Sequence, residues 1–280
     1  MKTFRTKTYQ IKMKKLNGGQ SVRFAVLADL HGLVFGNENQ DLFRAIETSG
    51  ADAVLVAGDM VVSADTSTAK AVAGFFCRLA NVLPVFYVMG NHENKMLLNP
   101  ETSEAYINYE RVLTSAGVCF LHNECISMEI KGNTFTFYGL ELPMEYYRKP
   151  SSPYPDEAVL EKLVGKPSSY GISVLLAHNP KYGDAYFQWG ADMILSGHYH
   201  GGVLRLSEHH GLACPQYLFL PPYCCGDFHR EDRHMLVSAG LGEHTVPLRI
   251  HNPRELLLAE LLPAGINGNT GEHTEDGDIS

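Results

Sequence analysis

Phe24-Ala25-Val26-Leu27-Ala28-Asp29-Leu30-His31 sets an unbroken apolar run directly against two metal-ligand side chains. A short apolar run bounded by polar or turn residues reads as a strand buried on both faces. The same arrangement recurs four times. Ala53-Val54-Leu55-Val56-Ala57 leads into Gly58-Asp59, and Val85-Phe86-Tyr87-Val88-Met89 leads into Gly90-Asn91-His92-Glu93. Residues 172–177 lead into His178, and residues 191–196 lead into Gly197-His198-Tyr199-His200-Gly201-Gly202. In open α/β sheets, sites gather just beyond the carboxyl ends of the strands. Five polar fragments at five strand ends therefore predict one site at one edge of an α/β core.

Around these fragments the pattern reads as β-α-β-α-β up to Asn91, with helices over about 40–49 and 67–80. A further helix over 101–115 is stopped by Gly117. The period then changes to alternation in 126–130 and 134–138, separated by Lys131-Gly132-Asn133, which signals a hairpin. Residues 143–155 are rich in Tyr and Pro. They form either a wall of a substrate pocket or an aromatic loop packed on the core. Residues 235–239 and 256–261 read as closing strands, and 9–13 as an amphipathic strand. One α/β domain over residues 1–263 is expected, followed by a disordered acidic tail at 264–280.

Bulk properties exclude several classes. With 280 residues, 45% hydrophobic and 19% charged, the chain is an ordinary globular sequence with room for a large core. A net charge of −8 argues against a general nucleic-acid-binding surface, while leaving nucleotide substrates open. Lys2, Arg5, Lys7, Lys12, Lys14, Lys15 and Arg23 crowd the beginning with no acid among them, but no apolar stretch follows until the strand ending at Asp29. No apolar run reaches the ~20 residues needed to span a bilayer. The expectation is a soluble, cytoplasmic protein whose basic start is a solvated strand. The six cysteines show no paired knuckle spacing and read as reduced. His122, His209, His210, His229, His234, His244 and His251 lack ligand spacing, and His209-His210 reads as a solvated loop pair.

Together the fragments offer Asp29, His31, Asp59, Asn91, His178, His198 and His200 as ligands, enough for two cations. Asp29 and His31 stand two apart, so on an extended strand end both side chains point the same way. His198 and His200 repeat that spacing between glycines. Asp59, from a middle fragment, is the natural carboxylate to bridge two ions. A mixed imidazole and carboxylate set without thiolate suits Mn, Fe or Zn, with Co or Ni also admissible, and suits Ca²⁺ poorly. Such a pair, sharing a water or hydroxide, clamps both oxygens of an in-line displacement and fits phosphate-ester hydrolysis. His92, beside Asn91 and unassigned to metal, is available as general acid or as a donor to the phosphoryl oxygens. Glu93 is expected to orient a neighbouring histidine.

In this order D-x-H, G-D, G-N-H-E, a lone His and G-H-x-H resemble the calcineurin-like metallophosphoesterase superfamily. The resemblance implies a four-layered α/β/β/α sandwich with two mixed sheets flanked by helices. It further implies Asp29, His31, Asp59 and His200 on one metal, Asp59, Asn91, His178 and His198 on the other, and His92 as the catalytic histidine. His178-Asn179-Pro180, Ser238-Ala239-Gly240-Leu241-Gly242 and Pro247-Leu248-Arg249 resemble the bacterial YkuE/YaeI-like phosphodiesterase branch. Relatives there often carry an amino-terminal anchor, and have Thr where this chain has Tyr199 and Gln where it has Val203. The implied function is dimetal hydrolysis of a phosphodiester in a small-molecule, lipid or nucleotide substrate. A phosphomonoesterase using the same site is the alternative, and a non-catalytic metal-binding scaffold a more distant one.

Overall fold

The computed structural model describes residues 2–17, 19–149, 151–212, 219–243 and 248–264. The expected acidic tail therefore lies outside the described residues apart from Ala264, as do His244 and Cys214.

Two six-stranded sheets form the centre. The first runs β1 (Arg5–Met13), β12 (Glu255–Pro263), β2 (Val22–Leu27), β3 (Ala53–Val56), β4 (Val85–Tyr87) and β5 (Cys119–Phe120). Its neighbours are parallel except for β12 against β2. The second runs β10 (Gly226–Arg230), β11 (Arg233–Val237), β9 (Met193–Ser196), β8 (Ile172–Ala177), β7 (Asn133–Leu140) and β6 (Cys125–Ile130). There β10 and β6 are the antiparallel edges of a parallel middle. The sheets are mixed, as expected.

Alternation along each strand decides the layering, because successive side chains leave opposite faces. In β2, Phe24 and Val26 turn into the space between the sheets, where they join Leu55, Phe86, Phe135, Phe137, Leu176 and Leu195. Phe86 stacks on Phe137 with centroids 4.3 Å apart, and Phe24 meets Phe135 edge-on at 5.3 Å. Each such ring, fully buried, stabilises the fold by about 1.5–3 kcal/mol. Ala25 and Leu27 turn the other way, onto α1 (Gln40–Thr48), α2 (Ser67–Ala80) and α4 (Ser103–Ser115) through Ile46, Phe76 and Tyr106. Tyr138, Leu175 and Ile194 leave the far face of the second sheet for Leu160 of α5 (Glu157–Val164) and Tyr186 of α6 (Gly183–Trp189). The result is helix, sheet, sheet, helix.

Three helices go beyond the expected set. The first is α3 (Asn91–Leu98), directly after β4. Glu93 closes its first turn by accepting the Gly90 N–H at 3.1 Å, so capping rather than an amphipathic stripe starts it. α5 begins where Asp156 accepts the Val159 N–H at 2.9 Å and ends at Gly165 with φ 76°. α6 ends at Gly190, also left-handed.

Candidate metal centre

Every expected ligand lies just past the carboxyl end of a strand: Asp29 and His31 after β2, Asp59 after β3, Asn91 after β4, His178 after β8, and His198 and His200 after β9. Asp29, Asp59, Asn91, His178, His198 and His200 are all buried. The chain turns sharply to put them there. Asp29 (φ 53°), His31 (49°), Asp59 (59°), His198 (67°) and His200 (50°) all sit in the left-handed region. An extended strand end does not carry them, contrary to expectation; Asp29 and His31 converge through two left-handed turns. Each such residue costs on the order of 1–3 kcal/mol, a strain that concentrates at functional sites.

Two glycines make the approach possible. A Cβ on Gly90 would lie 2.2 Å from Asp59 Oδ1, and one on Gly197 would lie 2.6 Å from Asp29 Oδ2. Only glycine leaves room for these carboxylates.

The side chains fall into three overlapping groups able to hold an ion: Asp29, His31 and His200; Asp59, His178 and His198; and His31, Asp59 and His92. His198 and His200 thus face different groups, where their spacing alone allowed a shared ion. His200 Nε2 stands 3.2 Å from His31 Nε2 and 3.5 Å from Asp29 Oδ1. His178 Nε2 stands 3.1 Å from Asp59 Oδ2, outside hydrogen-bond geometry, and 3.9 Å from Asp29 Oδ1. Its other nitrogen is committed, since Nδ1 donates to the Ala57 carbonyl at 2.6 Å. Nε2 is therefore the nitrogen offered to a ligand.

Buried polar atoms without partners normally signal a missing ligand or water. Asn91 Oδ1, His178 Nε2 and His198 Nε2 are such atoms, and the two histidines share one group with Asp59. An amide oxygen, imidazole nitrogens and carboxylates fit a pair of transition-metal ions.

Electrostatics follow burial and proximity. Burial pushes the Asp59 carboxyl up, but the imidazoles of His178, His92 and His31 prevail and hold it well below the usual range. Burial raises Asp29, opposed by His178. It lowers His31 to about 4 and depresses His198 and His92 as well. His31 and His198 thus offer lone pairs, whereas at His178 burial is outweighed by Asp59 and Asp29, which raise the imidazole to about 9, so an ion there would have to displace a proton.

His92 Nδ1 accepts the Ser63 N–H at 3.0 Å. A neutral His92 then carries its proton on Nε2. Glu93 departs from expectation and touches no ligand histidine. Its fully buried carboxylate accepts the N–H groups of Asp59 (2.9 Å), Met60 (2.6 Å) and Gly90 (3.1 Å) and the Tyr87 hydroxyl (2.9 Å). It shapes the loop that presents Asp59.

The Tyr- and Pro-rich segment divides between its two expected roles. Tyr146 packs edge-on against Tyr182 in the core, while the Tyr147 ring stands 5.5 Å from that of His198. Sequence reasoning could not separate two adjacent tyrosines. It also gave no role to Arg249, whose Nη2 lies 3.3 Å from His200 Nδ1. Among the described residues no helix is long and apolar enough to cross a membrane.

Several known proteins are similar to this chain. An uncharacterised metallophosphoesterase of Helicobacter pylori (strain 26695) is 27% identical over 259 residues, covering 87% of this chain and 60% of that one. YpbG of Bacillus subtilis is 24% identical over 250 residues, covering 87% and 82%. The phosphodiesterase YaeI of Escherichia coli is 29% identical over 155 residues, covering 55% and 51%. Among solved structures, a phosphopantetheinyl hydrolase from Mycobacterium tuberculosis aligns with a TM-score of 0.47 at 13% identity, over 78% of this chain and 89% of that one. The calcineurin-like phosphoesterase profile matches residues 22–202, which hold every ligand-bearing fragment, and the chain belongs to that family.

Proposed function

We propose that the protein hydrolyses phosphodiesters with two transition-metal ions. Asp29, His31, Asp59 and His200 hold one, and Asp59, Asn91, His178 and His198 hold the other. The observation that carries this reading is the position of Asp59 Oδ2, 3.1 Å from His178 Nε2 and 3.9 Å from His31 Nε2. One carboxylate oxygen between imidazoles of the two sets is what a bridging ligand requires.

When bound, such a pair supplies Lewis acidity toward the phosphoryl group and activates water near neutral pH. The protein's own residues supply the rest. Asp59 keeps its carboxylate ionised. The fixed turns at Asp29 and His198 hold the ligands in place before substrate arrives, so little reorganisation remains at the moment of reaction. His92, with its proton on Nε2, donates a hydrogen bond to a phosphoryl or leaving oxygen. Full proton transfer to a poor leaving group needs the imidazolium, and that form would have to give up the Ser63 N–H bond. Tyr147 lines one side of the centre and limits what can lie beside His198. A diester as substrate is supported by the likeness to YaeI, whose name is that of a phosphodiesterase.

The test is reconstitution of stripped protein with Mn²⁺, Zn²⁺, Fe²⁺ or Mg²⁺, assayed on an aryl phosphodiester and an aryl phosphomonoester. Metal-dependent cleavage dominated by the diester is expected. Dominant monoester cleavage would replace this reading with a phosphatase, and silence on both with two ions bound would leave a metal-binding scaffold.

A further inference from the structure

Two lysines approach His92 from separate elements. Lys95 follows it by three positions on α3, a spacing that makes the two side chains neighbours on the helix surface, about 5–6 Å apart at Cβ. The short turn Met144–Tyr147 packs against α3, and its Tyr147 ring stands 5.5 Å from that of His198. Lys149 follows two residues later. Both lysines are exposed, whereas His92 is half-buried. Burial depresses the His92 imidazole, and the ammonium charges of Lys95 and Lys149 depress it further. Lys95 adds in the same way to the effect of burial on His198. Both lysines therefore stand within electrostatic reach of the proposed proton donor.

The protein does not neutralise this charge itself. Lys15 pairs with Asp192, Lys131 with Asp52 and Lys166 with Glu161, but among the described residues Lys95 meets no carboxylate. Glu93, on the same helix, is committed to the N–H groups of Asp59, Met60 and Gly90. Glu141 accepts the Met89 N–H at 3.0 Å and meets His122 at 3.1 Å. Nor does the scissile group call for more positive charge. Two divalent ions would already be balanced by the carboxylates of Asp29 and Asp59, a hydroxide and the one negative charge of a diester. In a chain of net charge −8, two exposed ammonium groups beside His92 offer their charge to an anion that arrives with the substrate.

We propose that Lys95 and Lys149 form an anion subsite beside His92, and that the preferred substrate is a phosphodiester with a second phosphate on one arm. This deepens the diesterase reading above and rests on it. Lysine suits the task, because a compact charge on a flexible stem can follow a phosphate whose position varies with the arm. The subsite holds the charged arm in the bound substrate and in the transition state alike. Its effect therefore falls on KM more than on kcat.

The experiment compares the para-nitrophenyl phosphodiester of glycerol with the same diester carrying a phosphate on the far hydroxyl. Both are assayed on metal-loaded wild type, Lys95→Gln, Lys149→Gln and the double variant; the two lysines are exposed, so the fold survives their replacement. An exposed ion pair is worth up to about fivefold in affinity. Wild type is expected to prefer the phosphorylated diester by about tenfold in kcat/KM, chiefly through KM. Each single variant should lose about three- to fivefold of that preference, and the double variant nearly all of it. Lys95→Arg, which keeps the charge, should retain it. Calorimetric dissociation constants for the two products, glycerol phosphate and glycerol bisphosphate, read the same ratio without turnover. No preference in wild type, a preference that survives in the double variant, or equal losses on both substrates would overturn the subsite and leave the diesterase reading standing. Cleavage of neither diester with two ions bound would sink that reading and the subsite with it.

Discussion

Asp59 Oδ1 accepts the His92 backbone N–H at 2.8 Å, so the carboxylate at the heart of the centre and the histidine at its rim are fixed to one another. Its other oxygen faces His178 and His31. A single residue thus sets the spacing between the proposed ligand set and the proposed proton donor. The two roles separate by substitution.

Asp59→Asn keeps the shape and the acceptor toward His92, but puts an amide NH₂, which has no lone pair for a cation, where Oδ2 stood. Occupancy by elemental analysis should fall from two ions to one or none. Turnover should fall by at least about 100-fold, the upper end of what even outer-shell losses cost. Two ions and a normal rate would remove the bridging role.

His92→Ala leaves the ligand set intact, and its N–H bond to Asp59 belongs to the backbone. Turnover of an alkyl phosphodiester should drop by about 10²–10⁴, the usual size of a lost acid–base group, with both ions retained. An aryl substrate, whose leaving group needs less help, should lose less. Equal losses on both substrates would point to phosphoryl binding rather than leaving-group assistance.

Much of this centre was legible in the chain because strand ends punctuate it. Phe24 to Ala28 and its four counterparts announce buried strands, and each ends in a ligand type. What was not legible depended on the third dimension. The second sheet follows from pairing of β7, β8 and β9, whose apolar runs look no different from those of β2 to β4. The left-handed turns at Asp29 and His31 carry no marker at the residues themselves, since Asp and His tolerate that region without demanding it. Arg249 reaches His200 from far along the chain, and nothing in its neighbours encodes the contact. Glu93 was misread because its sequence neighbour is a histidine, while its partners are backbone N–H groups of the Asp59 loop.

Glu93→Gln tests that last relationship. The carboxylate accepts from Asp59, Met60, Gly90 and Tyr87, and an amide must turn one N–H₂ toward donors. Leaving buried donors unsatisfied costs about 1–3 kcal/mol. The melting midpoint of the stripped protein should drop by several degrees, and Asp59 should lose its fixed approach to the ions. An unchanged midpoint would mean that the loop holds its shape without the carboxylate.

His122 offers a check outside the proposed ligand set, beside a cleft of about 670 Å³ also lined by Met89, Ile107 and Arg111. Its Nε2 meets Glu110 at 3.1 Å and its Nδ1 meets Glu141 at 3.1 Å, while Phe120 stacks against the ring. Bonds to Glu110 and Glu141 raise the imidazole from the ordinary 6.5 to about 10, against the effect of burial. The sign follows from linkage. The folded protein holds this proton more tightly than the unfolded chain, so the stabilisation is complete below about pH 6.5 and is lost as pH climbs toward 10. The ring is more than a third exposed, so solvent screens the pair and the effect is modest. Glu110, depressed by the same contact, contributes in the opposite direction, losing its share as pH falls through the carboxylate range. Denaturation midpoints of metal-stripped wild type should therefore decline between pH 7 and 10 more steeply than those of His122→Gln. Parallel curves for the two proteins would show that His122 is neutral in the fold and that its carboxylate neighbours are held by other means.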